Sequence, residues 1–268
     1  MVDVREMLAV QRAPLIAAPM TDVSGPELVV ACMRAGIVGS FPTTNAQSRE
    51  ELVEWFGYID AELTGDAAYV VNIPLRLAGA KAEEHLGAAL SSRCSAVIVS
   101  VGSPAGLVAP VHDAGRAVIA VVATLHHARR AVDAGADALV LLSAGAGGFT
   151  GWMNPFAFVR AVRGITDAPL ILAGGVADRV SLTAALTLGC DGAYLGSPLI
   201  AAAESRATDD WATAVVESGL DDVALTTMDN GLDSNGVTRG GEFFTMGHTI
   251  HAAHVVGSAA SIIDAALA

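Results

Sequence analysis

The chain has 268 residues and a formal net charge of −13; 53% of its residues are hydrophobic and only 5% aromatic. That length fits one α/β barrel with a core of Ala, Val, Leu and Ile. The acidic balance argues against a nucleic-acid or anionic-membrane partner, since both need a basic face. Cys32, Cys94 and Cys190 form no CxxC pair and read as buried thiols in a reducing compartment. The opening MVDVREMLAV carries Asp3 and Glu6 where a secretory signal would be positive. No apolar run reaches the ~18 residues of a membrane span without Gly, Pro or charge. A soluble, cytoplasmic protein is expected.

Taken in order, the predicted strands are PLIAA from Pro14, IVGSF from Ile37, AYVVN from Ala68, AVIVS from Ala96, AVIAVV from Ala117, ALVLL from Ala138, LILA from Leu170 and GAYLG from Gly192. Each is near-continuously apolar, as parallel strands covered on both faces are. Amphipathic stretches lie between them. SGPELVVACMRAG offers Ser24 as a cap, Pro26 in the first turn and Gly36 as a stop. TLHHARRAVDAGAD and DRVSLTAALTLGCD share one order: helix, glycine, Asp, next strand. Eight such units predict a (β/α)8 TIM barrel, one domain over 1–268, with a doubly wound sheet as the alternative. After Ser197, DDWATAVVESGL reads as a helix, Asp229–Gly241 as an irregular loop, and HTIHAAHVVGSAASIIDAALA as a terminal helix. Residues 195–268 would be the C-terminal loop and helices that complete the site.

Barrel chemistry is done at the C-terminal ends of the strands. Those ends read Met20, Pro42, Asn72, Val101, Ala123, Ser143, Ala173-Gly174-Gly175 and Gly196-Ser197. No lysine stands there (Lys81 is the only one in the chain), which disfavours a Schiff base. No cluster of Asp, Glu and His stands there either, so no metal site is expected. A rim this poor in acids and bases points to a bound cofactor. Glycines directly follow the last two strands, in ILAGGVAD and GAYLGSPLI, and would offer bare N–H groups to a phosphate. Asp178 reads as a helix cap.

The segments LIAAPMTDVSGPELVVACMRAGIVGS, VVNIP, AGGFTG, LILAGGVAD and DGAYLGSPLIAAAES resemble, in order, the nitronate monooxygenase (2-nitropropane dioxygenase-like) family. The likeness covers roughly residues 13–205, and more weakly FFTMGHTIHAAHVV. It implies an FMN-binding TIM barrel. By that resemblance Ala18, Pro19 and Met20 would run along the isoalloxazine, and Asn72 would hydrogen-bond near flavin or substrate. Gly174, Gly175, Gly196 and Ser197 would hold the FMN phosphate. Ser143, Gly147 and Gly148 would let their loop approach the cofactor.

Two departures from the family bear on the reaction. Its AGGHxG histidine, the base for neutral nitroalkanes, is Phe149 here, and its frequent Glu is Gly145. The stretch between Ser205 and Phe243 is also short. His248 is the candidate for a replacement proton-handling group. His251 and His254 follow it at three-residue steps without a carboxylate, so a metal is disfavoured. His126 and His127 read as surface residues and Arg76 as exposed, with an anionic partner as its alternative. Trp152, Met153 and Phe156 either wall a pocket or pack a helix. The expected function is FMN-dependent oxidation of small anionic nitronates with dioxygen. The alternatives are an NAD(P)H-dependent reductase of an enoyl thioester or quinone, and a non-redox barrel for a phosphate ligand. The expected partner is a small-molecule substrate, and a homo-oligomer stays open.

Overall fold

A computed structural model describes residues 1–268. Eight parallel strands appear where the sequence places them: β1 (Leu15–Ala17), β2 (Gly39–Pro42), β3 (Tyr69–Pro74), β4 (Ala96–Ser100), β5 (Ala117–Val122), β6 (Ala138–Leu142), β7 (Leu170–Ala173) and β8 (Gly192–Leu195). They pair in the order β1-β8-β7-β6-β5-β4-β3-β2. Val38 N donates to Leu15 O (3.0 Å) and Ala17 N to Val38 O (2.9 Å), joining β2 to β1. The ring is therefore closed, and the doubly wound alternative is set aside.

Side chains alternate along each strand, and level positions step by one residue from strand to strand, so the lumen fills in layers of four from alternate strands. The register gives Val38, Ala96, Ala138 and Gly192 at the bottom, then Ile16, Val70, Ile119 and Ile171. Above these lie Ser40, Ile98, Val140 and Tyr194, and at the mouth Ala18, Asn72, Val121 and Ala173. Helix Val4–Ala9, which the sequence reading did not identify, plugs the lower end with Val4, Met7 and Leu8. Outward residues such as Phe41, Val71 and Val97 pack with Trp55, Phe56 and Ile59 of helix Arg49–Glu62. All three cysteines are buried, and burial pushes their thiols up, Cys94 to about 11.

The repeated Asp before a strand has a structural cause. Asp137, ahead of β6, accepts the N–H of Val118 in β5 (2.7 Å) and meets His112 Nε2 (2.8 Å). Asp191, ahead of β8, accepts the N–H of Leu170 in β7 (2.8 Å) and binds Arg163 and Arg5 (2.9 and 2.7 Å). Each carboxylate satisfies a backbone donor of the neighbouring strand and ties it to a basic side chain.

The C-terminal quarter differs from expectation. Asp229–Gly241 is not an irregular loop: β9 (Ala224–Thr227), β10 (Asp233–Arg239) and β11 (Glu242–Thr245) form an antiparallel meander. Gly240 and Gly241, at φ +59° and +86°, make the tight turn that such a hairpin requires. The polar run Asp233-Ser234-Asn235 conceals the strand, since Asp233 accepts the Thr227 hydroxyl of β9 and Asn235 binds the loop at Ala146 and Thr150. The terminal helix is likewise shorter than expected. His248–Ala252 is a 3₁₀ turn, and the α-helix spans only Ala259–Leu267, started by Ser258, whose side chain accepts Ser261 N. No helix is long and apolar enough to cross a membrane.

Replacing Asp191 by Ala removes a charged acceptor from a strand N–H and two guanidiniums. Such bonds contribute about 1.5–3 kcal/mol each, so the unfolding free energy should fall by about 2 kcal/mol or more. Asp264→Ala, which breaks only the exposed pair with Arg12, should cost about 1 kcal/mol or less. Chemical denaturation of both variants checks this, and equal losses would refute the strand-anchoring role.

Candidate active site at the mouth of the barrel

The loop after β1 is pinned by a side-chain amide. Asn45, buried at 4% exposure, donates through Nδ2 to Met20 O and Ser24 O (both 2.9 Å) and accepts Asp22 N (3.0 Å) through Oδ1. Ser24 is not the helix cap that the sequence suggests; Gly25 holds that position. Its hydroxyl turns inward, accepting Met20 N (3.0 Å) and donating to Ala18 O (3.3 Å). Ala18 N bonds Leu195 O (2.8 Å). Ala18, Pro19 and Met20 thus form a fixed, half-buried ledge on the rim. Asn45 was missed by sequence reading because a short 3₁₀ turn carries no periodic signal.

Asn72 projects into the mouth layer, 7% exposed, with its Oδ1 unpartnered. Its carbonyl accepts Thr43 Oγ1 (3.3 Å), which also contacts His85 Nδ1 (2.9 Å). Burial lowers the His85 pKa, favouring the neutral imidazole. Sequence reading singled out neither Thr43 nor His85.

The ends of β7 and β8 hold free backbone donors. The N–H groups of Gly174, Gly175 and Val176, and of Gly196, donate to no protein acceptor. Gly174 (φ +115°) lies against the neighbouring loop, where a Cβ would come 2.7 Å from Ser143 Oγ. Gly175 (φ +82°) faces open space, and a Cβ on Gly196 would meet only Ala18 Cβ, at 3.4 Å. Ser143 is fully buried, its hydroxyl donating to Ala173 O (2.8 Å). Ser197 Oγ accepts Gly247 N (2.8 Å), so this hydroxyl anchors the C-terminal segment. Asp178 caps the next helix as expected, accepting Ser181 N (2.7 Å), and that bond holds its pKa low.

The glycine loop after β6 is built for backbone-on-backbone contact. A Cβ on Gly147 would sit 2.5 Å from Gly247 N, and one on Gly247 would sit 2.5 Å from Gly145 O. The room at Gly147 is therefore taken by the C-terminal segment, whereas Gly148 (φ +60°) has open space beside it. Gly148 and Phe149 pair with Asn235 and Ser234 of β10. Asn235, 5% exposed, donates to Ala146 O (2.8 Å) and Thr150 Oγ1 (3.2 Å). His248 N bonds Gly145 O (3.0 Å), and the imidazole covers Gly145, whose Cβ would lie 3.0 Å from Nδ1. Phe149 pairs with β10, and His248, on the C-terminal segment, packs on Gly145 of the same glycine loop. His126, His127 and Arg76 are exposed, as expected. Trp152 and Phe156 are 77% and 60% exposed and pack no helix, while Met153 packs on the core.

A family model described as nitronate monooxygenase matches residues 41–240. A Mycobacterium tuberculosis protein, (3aS,4S,5R,7aS)-5-hydroxy-7a-methyl-1-oxo-octahydro-1H-indene-4-carboxyl-CoA dehydrogenase, is 27% identical over 85% of this chain, which spans 63% of that relative's length. A nitronate monooxygenase of Pseudomonas aeruginosa is 26% identical over 86% of this chain and 78% of its own. The structure of FabK from Thermotoga maritima superposes with a TM-score of 0.88 at 21% identity, covering 99% of this chain and 94% of that one, a likeness of fold.

Asn235→Ala would strip the buried Ala146 carbonyl of its donor, at a cost of about 1–3 kcal/mol. Amide exchange of Thr150 and Met246 should speed up, with Leu182 in the distant helix unchanged. Uniform acceleration across all three amides would contradict a local bracket.

Proposed function

The chain belongs to the nitronate monooxygenase family, and we propose that it is an FMN-dependent oxidoreductase that oxidises small anionic nitronates with dioxygen. The observation that carries this reading is the set of unpaired N–H groups at Gly174, Gly175, Val176 and Gly196, on two adjacent strand ends. Such a nest of backbone donors suits a phosphate even in a chain of net negative charge, because the donors point at the ligand from close range. The residues present fit FMN: the open face of Gly175 leaves space for the phosphate, and the unpartnered Asn72 amide leaves a polar contact for the ring or substrate. When bound, the flavin supplies the electron-accepting chemistry that no side chain at this mouth can provide.

The chain's own residues would divide the remaining work. Ala18, Pro19 and Met20 present a ledge for the ring; Gly148 gives the loop a bare flank, with Ser143 holding its base to Ala173. Asn72 would orient ring or substrate. Phe149 cannot accept a proton, so a substrate that arrives already ionised suits this site. His248, against Gly145 of that loop, is the proton-handling candidate. A second reading draws on the carboxyl-CoA dehydrogenase named above: a thioester substrate, with NAD(P)H as the redox partner.

Purified protein should show the two visible bands of a bound flavin, and phosphate analysis of the released cofactor should identify FMN. Gly175→Glu and Gly196→Glu should lose it, because a carboxylate would fill and repel the phosphate site. Full FMN occupancy in both variants would sink the cradle. A colourless protein that still binds sugar phosphates would favour a non-redox barrel.

Oxygen consumption should be rapid with preformed nitronates and nearly absent with neutral nitroalkanes. Phe149→His should raise the rate on the neutral form selectively. Equal wild-type rates on both forms would make His248 the base to test next. Flavin reduction by NAD(P)H without oxygen consumption on either form would favour the thioester reading.

A further inference from the structure

Three buried side-chain polar atoms have no hydrogen-bond partner: Asn72 Oδ1, Arg116 Nε and Tyr194 Oη. Arg116 precedes β5 at the lower end, where its guanidinium donates to Ser92 O (2.6 Å). The other two stand in the top two layers of the lumen. Tyr194 is flanked on the inward side of β8 by Gly192 and Gly196, which give its ring lateral room. Above it, the mouth layer is Ala18, Asn72, Val121 and Ala173, mostly small, so the ring is only half-buried while its hydroxyl is shielded from solvent.

We infer that Tyr194 is a cofactor-contact residue, whose phenolic O–H is held for an acceptor atom on the ring of the bound flavin. This rests on the flavin reading above. No acceptor in the protein takes it: Ile98 and Val140 in its layer are apolar, the Ser40 hydroxyl donates to Ala17 O without receiving the phenol, and Asn72 Oδ1 in the layer above is itself unpartnered. A buried hydroxyl left in this state is costly and calls for a ligand that completes it. Burial raises the Tyr194 pKa, so the phenol keeps its proton and acts as a donor. The flat isoalloxazine carries carbonyl and ring-nitrogen acceptors along one edge. A donor aimed at such an acceptor binds the electron-rich reduced ring more tightly than the oxidised ring.

Tyr194→Phe keeps the aromatic ring and removes only the donor. In apo protein its melting temperature should equal or exceed that of wild type, because a hydroxyl without a partner contributes nothing to apo stability. The stabilisation gained on adding FMN should shrink, with FMN affinity falling about tenfold. The preference for reduced over oxidised flavin should also fall about tenfold, lowering the two-electron midpoint potential by about 30 mV. A lower apo melting temperature would mean that the hydroxyl bonds within the protein and would overturn the assignment. Unchanged FMN affinity and potential, in a variant that still binds flavin, would overturn it too, leaving the flavin reading intact. Wild-type protein that binds no flavin overturns both.

Discussion

Two backbone hydrogen bonds between Val38 and the β1 residues Leu15 and Ala17 turn a twisted parallel sheet into a ring. Closure imposes a one-residue step from strand to strand, and that step decides which side chains share a level. The lower two layers are filled by branched residues, Ala and Gly, with helix Val4–Ala9 as a stopper. The mouth layer is again small, with Ala18, Val121 and Ala173 beside Asn72, and Tyr194 stands one layer below it. No helix covers this end as helix Val4–Ala9 covers the other.

Around the mouth, the loops meet mostly through backbone. Gly147 and Gly247 let the loop after β6 and the C-terminal segment touch without intervening side chains, and a Cβ at either would collide at 2.5 Å. Gly174 presses on Ser143 in the same way. At the ends of β7 and β8, the N–H groups of Gly174, Gly175, Val176 and Gly196 have no protein acceptor. A rim poor in charged side chains thereby carries positive partial charge on its backbone.

Three buried asparagines differ in what their amides meet. Asn45 holds the ledge at Met20 and Asn235 holds the loop at Ala146, each with its amide occupied. Asn72 is as well buried, but its side-chain Oδ1 is unpaired. In a low-dielectric interior that difference is energetically large. Two of these amides act as brackets, and the third has an oxygen with no partner in the protein.

The sequence by itself determined the eight strands, their order and the class of fold, because near-continuous apolar runs between capped helices admit few other arrangements. It also marked the Gly174-Gly175 pair, whose φ of +115° and +82° only glycine adopts at low cost. It did not reveal the meander at 224–245, whose polar residues answer to loop contacts rather than to a hydrophobic period. Nor did it single out Asn45, Thr43, His85, Asn235 or Tyr194, because nothing local distinguishes a satisfied polar side chain from an unsatisfied one. Tertiary structure decided that distinction: a hydrogen bond is a pairing between residues brought together by closure, and only the closed ring shows which polar groups remain without one.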